Sequence, residues 1–288
     1  MNEHFKISTL SKANEKLKEK TDETFTLIWA EYRKLNLFLQ NQKEDFYLKV
    51  ANRLIEKCIN LYFSIYSLLK EHNLYSAKII YRSLIEHYLK SQYIILNPEK
   101  EEDISSKYIL YGHIEEYIAK IKSKNVYNSL IGENNILLWE EIKREFPEVS
   151  SLSKNQIETE IQKFNIKQIC RKLATYIKGH TINLNHFENI LKNYWECSMF
   201  VHGGPGTEFH IPNSREIYSE EEALDLLNMI SIPYFLIFQT IQLIFINSAL
   251  KYNFKGSAAR ILNNELEKMS ISIEDQLEYL RLLDKNSQ

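Results

Sequence analysis

With 288 residues, 44 % of them hydrophobic and 26 % charged, the chain holds enough apolar material for a full core and is not of disordered composition. A formal net charge of −2 excludes the overall basic field of a nucleic-acid coat protein, although a local basic patch stays open. Seven glycines and five prolines leave few turn-formers, so the helices must be long.

Glu3–Lys20 is a Lys/Glu-rich amphipathic stretch with few large apolar residues, which predicts a helix lying loosely on the surface. Asp22–Leu39 is more apolar at helical spacing (Phe25, Ile28, Trp29, Tyr32, Leu35) and predicts a second helix. Glu44–Lys70 runs without glycine or proline, and its apolar positions recur every three or four residues. Glu71-His72-Asn73 is a short polar break, after which Leu74–Leu96 is apolar on nearly every side, as buried helices are. So short a connection makes these two helices antiparallel neighbours. Asn97-Pro98 ends the second of them, because the residue before proline is pushed out of helical geometry.

An acidic start at Glu99–Asp103 suits the N-terminal dipole of the next helix, predicted to run to about Ser123. The middle of the chain is less regular. It predicts a helix at Asn134–Phe146 stopped by Pro147, then shorter ones near Asn155–Phe164 and Ile166–Ile177. Asn183–His202 is a helix that stops abruptly at Gly203-Gly204-Pro205-Gly206, where three of the seven glycines fall. Ser219 followed by three glutamates reads as an N-cap with acidic first-turn residues. A long apolar helix follows to Lys251, and two short amphipathic helices, Ser257–Lys268 and Ser272–Leu283, come last.

No alternating strand pattern occurs, so the fold class is all-α, a multi-helix bundle with long central antiparallel helices and no significant β-sheet. The expected organisation is a single domain. Residues 1–40 are peripheral, 44–125 and 183–251 form the core bundle, 126–182 are an insertion, and 255–288 are C-terminal helices. The segment Leu226–Leu250 has no charged residue, and Ile230–Leu250 is long enough to span a bilayer. Pro233, Gln239, Gln242 and Asn247 lie inside it, and amides at mid-membrane need partners, so a core helix is the reading taken.

The cysteines Cys58, Cys170 and Cys197 are far apart and lack C-x-x-C spacing, which argues against a zinc site or a disulfide framework and for a cytoplasmic setting. His180 and His186 have no carboxylate at ligand spacing, and no H-E-x-x-H, phosphate loop, G-x-S-x-G or dinucleotide fingerprint is present. Neither a metal nor a cofactor is expected.

Three constellations carry chemistry. Arg82 and Glu86 are four apart on the apolar Leu74–Leu96 helix. The order, cation before anion, is the less favourable one for a simple helix-stabilising pair. A structural ion pair and a site are both consistent with it. Ser198 and His202 are likewise four apart, on a face with Trp195 and Met199. The helix dipole favours a cation at His202, and Gly203 and Gly204 let a ligand approach the backbone closely. A plain helix end with a turn reads equally well. Arg82 and His87 spell R-x-x-x-x-H, the form of the motif in HEPN-type helical ribonucleases. There arginine orients the scissile phosphate and histidine handles the proton of the attacking 2′-hydroxyl. On a regular helix the two would point about 140° apart.

The order of parts, R-S-L-I-E on one helix, a proline-terminated end, a Tyr-rich helix and then Y-W-E-C-S-M-F-V-H-G-G, resembles a widespread bacterial family of uncharacterised helical proteins marked by R-x-x-x-E and S-x-x-x-H helices. The resemblance covers roughly Glu44–Leu250. It implies a bundle with Arg82, Glu86, Ser198 and His202 grouped. Tyr194, Gly203 and Gly204 are the ligand contacts expected beside them. A further link to HEPN-like nucleases implies a metal-independent ribonuclease of a defence or toxin type. The other expectation is a non-catalytic module that holds a small anionic ligand or a partner protein. A homodimer is expected, since a second chain would mend the Arg82/His87 geometry.

Overall fold

The computed structural model describes residues 4–42, 46–97, 104–179, 184–203, 207 and 217–252. The chain divides into two compact units, Met1–Ile95 with Ile182–Gln288, and Leu96–Thr181. The two helices predicted beyond residue 255 lie outside the described residues.

The first unit is a helical bundle. It is built from α1 (Ile7–Asn41), α2 (Phe46–Lys70), α3 (Leu74–Leu96), α8 (Leu184–Val201) and α9 (Glu220–Tyr252). One three-residue pair, β1 (His4–Lys6) antiparallel to β2 (Ile217–Ser219), brings the start of α1 beside the start of α9. The fold is nonetheless all-α.

The apolar faces of α1, α2 and α9 close over one another. Phe25 meets Tyr234 and Phe238 with ring centroids 5.6 and 4.9 Å apart, and Tyr62 lies 6.4 Å from Tyr234. Between α1 and α2 runs a polar seam, in which the Tyr32 hydroxyl donates to Asn52 (2.8 Å) and Asn36 donates to Glu56 (2.8 Å). The central helix α3 touches α2 through the Cys58 thiol, which donates to the Leu84 carbonyl at 3.6 Å. It touches α9 where the Tyr88 hydroxyl donates to Gln239 (3.0 Å) and Gln92 donates to Thr240 (2.8 Å).

Two N-terminal helices were expected and one of 35 residues is found. Asp22, the expected start of the second, pairs with Lys18 one turn back, and its carbonyl accepts from Thr26 Oγ1. With no glycine or proline to stop it, the backbone passes straight through. Nor does this stretch lie loosely on the surface, since Thr9, Leu10, Ala13 and Asn14 are buried. Ser219 caps α9 as predicted. Its hydroxyl accepts from the Glu222 amide (3.3 Å), and the Glu222 carboxylate accepts from the Ser219 amide (3.0 Å).

The second unit holds α4 (Ile104–Ile131), α5 (Leu138–Glu145), a 3-10 turn at Pro147–Val149, α6 (Lys154–Gln162) and α7 (Ile166–Gly179). Its core includes Ile114, Ile142, Val149, Ile157 and Ile169. In this unit α4 clusters with α5–α7. It also runs past the predicted end at Ser123, until Gly132 takes the left-handed φ of 75° and the Glu133 amide closes back on the Asn128 carbonyl at 2.9 Å. The next helix starts at Leu138 instead of Asn134, because Asn125 holds the connecting loop by both the amide and the carbonyl of Ile136.

Candidate functional site

On α3, residues four apart share a face, and that face carries Lys78, Arg82, Glu86 and Lys90 in succession. Each engages its neighbours. Lys78 pairs with Asp225 of α9 at 3.2 Å, Arg82 with Glu86 at 3.3 Å, and Lys90 with Glu86 at 2.9 Å. The stripe is therefore three cations against two carboxylates, at the edge of the bundle. The side chains of Arg82 and Glu86 keep 22 % and 24 % of their surface exposed, so both are within reach of a ligand.

Arg82 is held from three directions. Its Nε donates to Ser198 Oγ at 3.0 Å, one terminal nitrogen to Glu86, and the other to the Tyr194 hydroxyl at 3.0 Å. The guanidinium carbon also lies 5.0 Å from the Tyr194 ring centroid, a cation–π contact. Ser198 is fixed in turn, its hydroxyl donating to the Tyr194 carbonyl at 2.8 Å. Tyr194 and Ser198 are buried and one turn apart on α8, so the helix presents both to Arg82 at once. A guanidinium has five N–H donors. Three are spoken for among the described residues, which leaves two for a ligand.

The structure thus brings Arg82, Glu86, Ser198 and Tyr194 together. It does not bring His87 to them. Arg82 turns toward α8, whereas the His87 Nδ1 lies 2.7 Å from the Ser83 carbonyl of its own helix. That contact assigns the proton to Nδ1 and leaves Nε2 as an acceptor. Burial pushes His87 below its ordinary value, with Lys90 and Lys57 adding to the effect, against the Ser83 bond and Glu86, which pull upward.

His202 lies just past the end of α8, exposed, with its amide donating to the Ser198 carbonyl at 3.3 Å. The helix stops there because Gly203 takes φ 60°. Gly204 lies outside the described residues. Trp195 and Met199, on the same side of α8 as His202, are 56 % and 54 % exposed. The three thiols are held protonated by burial, Cys197 being pushed up to about 12 and Cys170 to about 11, which leaves none as a ready nucleophile. Among the described residues no three His, Cys, Asp or Glu side chains are grouped to hold a metal ion.

Sequence reasoning missed Lys90, although the signal was there, since Glu86 followed by Lys90 is the favourable order for an ion pair at this spacing. It also missed Lys78–Asp225, which joins α3 to α9 and has no short-range signature.

A family of unknown function, DUF5677, matches residues 48–216, and the chain belongs to that family. The match spans α2 through α8, and so both helices that form the Arg82 cluster. No curated protein and no solved structure matches the chain.

Proposed function

We propose that this member of DUF5677 is a HEPN-like, metal-independent endoribonuclease of the defence or toxin type, with Arg82 as its phosphate-binding group. The observation that carries the reading is the Arg82 cage. An arginine held by Glu86, Ser198 and Tyr194, with two N–H donors to spare, is preorganised to donate to a pair of phosphate oxygens. Glu86 and Ser198 are positioning residues in this scheme.

In the cleavage step a base removes the proton of a ribose 2′-hydroxyl, and the 2′-oxygen bonds to phosphorus. The P–O5′ bond then breaks, and an acid returns a proton to the leaving 5′-oxygen. Arg82 offsets the negative charge that builds on the two non-bridging oxygens. Burial favours the neutral form of His87, and with the proton on Nδ1 its Nε2 has the lone pair of a general base. It faces away from Arg82 on the same helix, so joining the two needs a homodimer in which the second chain supplies the histidine. His202 is the alternative within one chain, one turn beyond Ser198.

A second reading is a non-catalytic module that holds a small anionic ligand. It is favoured by the absence, among the described residues, of any hydrogen bond between Arg82 and either histidine. The test is cleavage of a mixed labelled RNA pool by purified protein in EDTA, with wild type beside Arg82→Ala, His87→Ala and His202→Ala. Cleavage lost in Arg82→Ala and in one histidine variant is the expected result, and the histidine lost identifies the base. A folded wild type that leaves the pool intact refutes the nuclease and leaves the binding module.

A further inference from the structure

From the geometry of α8 we infer that the Arg82 cluster takes an unpaired nucleotide of single-stranded RNA, its base stacked on Trp195 while its phosphate meets Arg82. The inference rests on the phosphate reading of Arg82 and adds the class of substrate and a residue outside the cage.

An indole is the largest apolar side chain, and leaving it in water forgoes its burial. Trp195 is 56 % exposed although it sits on a helix whose next-door residue is buried. Its position is not arbitrary. The Trp195 ring meets the Tyr194 ring edge-on, with centroids 5.3 Å apart, and Tyr194 in turn carries the Arg82 guanidinium over its face. Arg82, Tyr194 and Trp195 therefore form a continuous run from a cation with spare donors to an open aromatic surface. Around α8, Tyr194, Ser198, His202, Trp195 and Met199 fall within about 140° of arc. The inner edge of this arc holds the arginine and the outer edge is exposed.

A nucleotide has the complementary build. Its phosphate is the bidentate acceptor that a guanidinium fits, and its base offers a flat face to an aromatic ring. Paired bases are stacked on their own neighbours and have no free face, so single strands are selected over duplex. Stacking reads no base edge, so little sequence preference is expected from this contact.

The test is fluorescence anisotropy of the full chain with three labelled probes, all 2′-fluoro-substituted so that no 2′-hydroxyl is present to cleave them: a single-stranded RNA, an abasic oligoribonucleotide of the same length, and the RNA as a duplex. Wild type should bind the single strand more tightly than either of the other two. Trp195→Ala should weaken single-strand binding about 10-fold and leave abasic binding unchanged, and Trp195→Phe should restore most of the loss. Arg82→Gln should weaken both single-strand and abasic binding. If Trp195→Ala binds the single strand as wild type does, stacking is refuted while the phosphate site stands. If wild type binds none of the probes, the phosphate reading beneath it fails. Because Trp195 is exposed, its replacement does not endanger folding, and circular dichroism of each variant checks this.

Discussion

At the scale of single residues, spacing alone put Arg82 and Glu86 on one face. It could not say what Arg82 would do with the rest of its donors. Those acceptors, Ser198 and the Tyr194 hydroxyl, stand more than a hundred positions away on α8. The resemblance to a family pattern suggested that Ser198 would be near, and Tyr194 was expected close by as a ligand contact, but no spacing in the sequence marked it as an acceptor for Arg82. Residue scale also gives a pH prediction for His87. Its folded-state value lies below the ordinary 6.5, so between the two the unfolded chain binds more protons than the native one. The His87 contribution is therefore fully present above 6.5 and drains away as pH falls through the folded value. Urea unfolding at a series of pH values down to about pH 5 should show that fall in wild type and a shallower one in His87→Gln. Identical slopes in the two proteins would show that burial of this imidazole is not what the acid side of the stability curve reports.

Periodicity was a good guide to elements where a helix packs on one long face, as in α2 and α3. Its errors came at ends, and each has a local cause. Asp22 reads as a start because the sequence turns more apolar there, but a carboxylate one turn beyond Lys18 is equally content inside a helix. Asn134–Leu137 reads as the start of a helix because it holds no glycine or proline. What unwinds it is Asn125, which offers the loop backbone a partner in place of the helix ladder (2.7 Å to the Ile136 amide, 3.0 Å from its own amide to the Ile136 carbonyl). Asn125→Ala should accordingly cost the second unit about 2 kcal/mol by chemical denaturation. Gly132→Ala should cost about 1 kcal/mol. A new Cβ at Gly132 would meet nothing within 4 Å, so its whole penalty is the left-handed φ of 75°. An Asn125→Ala variant as stable as wild type would mean that the loop holds itself by other contacts, and an unchanged Gly132→Ala that the helix end can relax.

On the scale of the whole molecule, the question is what surrounds α9. By length and composition its described span is apolar enough to cross a membrane, and 61 % of its most apolar window is already buried inside the protein. The burial is two-sided in kind. Tyr234 meets Phe25 of α1 edge-on and Phe238 meets it at a tilt, while Gln239 and Thr240 accept hydrogen bonds from Tyr88 and Gln92 of α3. A span in hydrocarbon would have to give up that apolar packing, and its amides would lose the partners that satisfy them. Both terms therefore favour the bundle, and together they tie the Arg82 cluster to α9, since the same α3 that presents Arg82 to α8 presents Tyr88 and Gln92 to α9. The expected outcome is that, after lysis without detergent and a high-salt wash of the membranes, the full chain stays in the supernatant. Tyr88→Phe combined with Gln92→Leu should lower its thermal midpoint without moving it to the pellet, because α1 and α2 still cover the apolar face. Recovery of wild type in the washed pellet would reverse the assignment. The contacts of α9 with α1 and α3 would then not describe the protein in the cell.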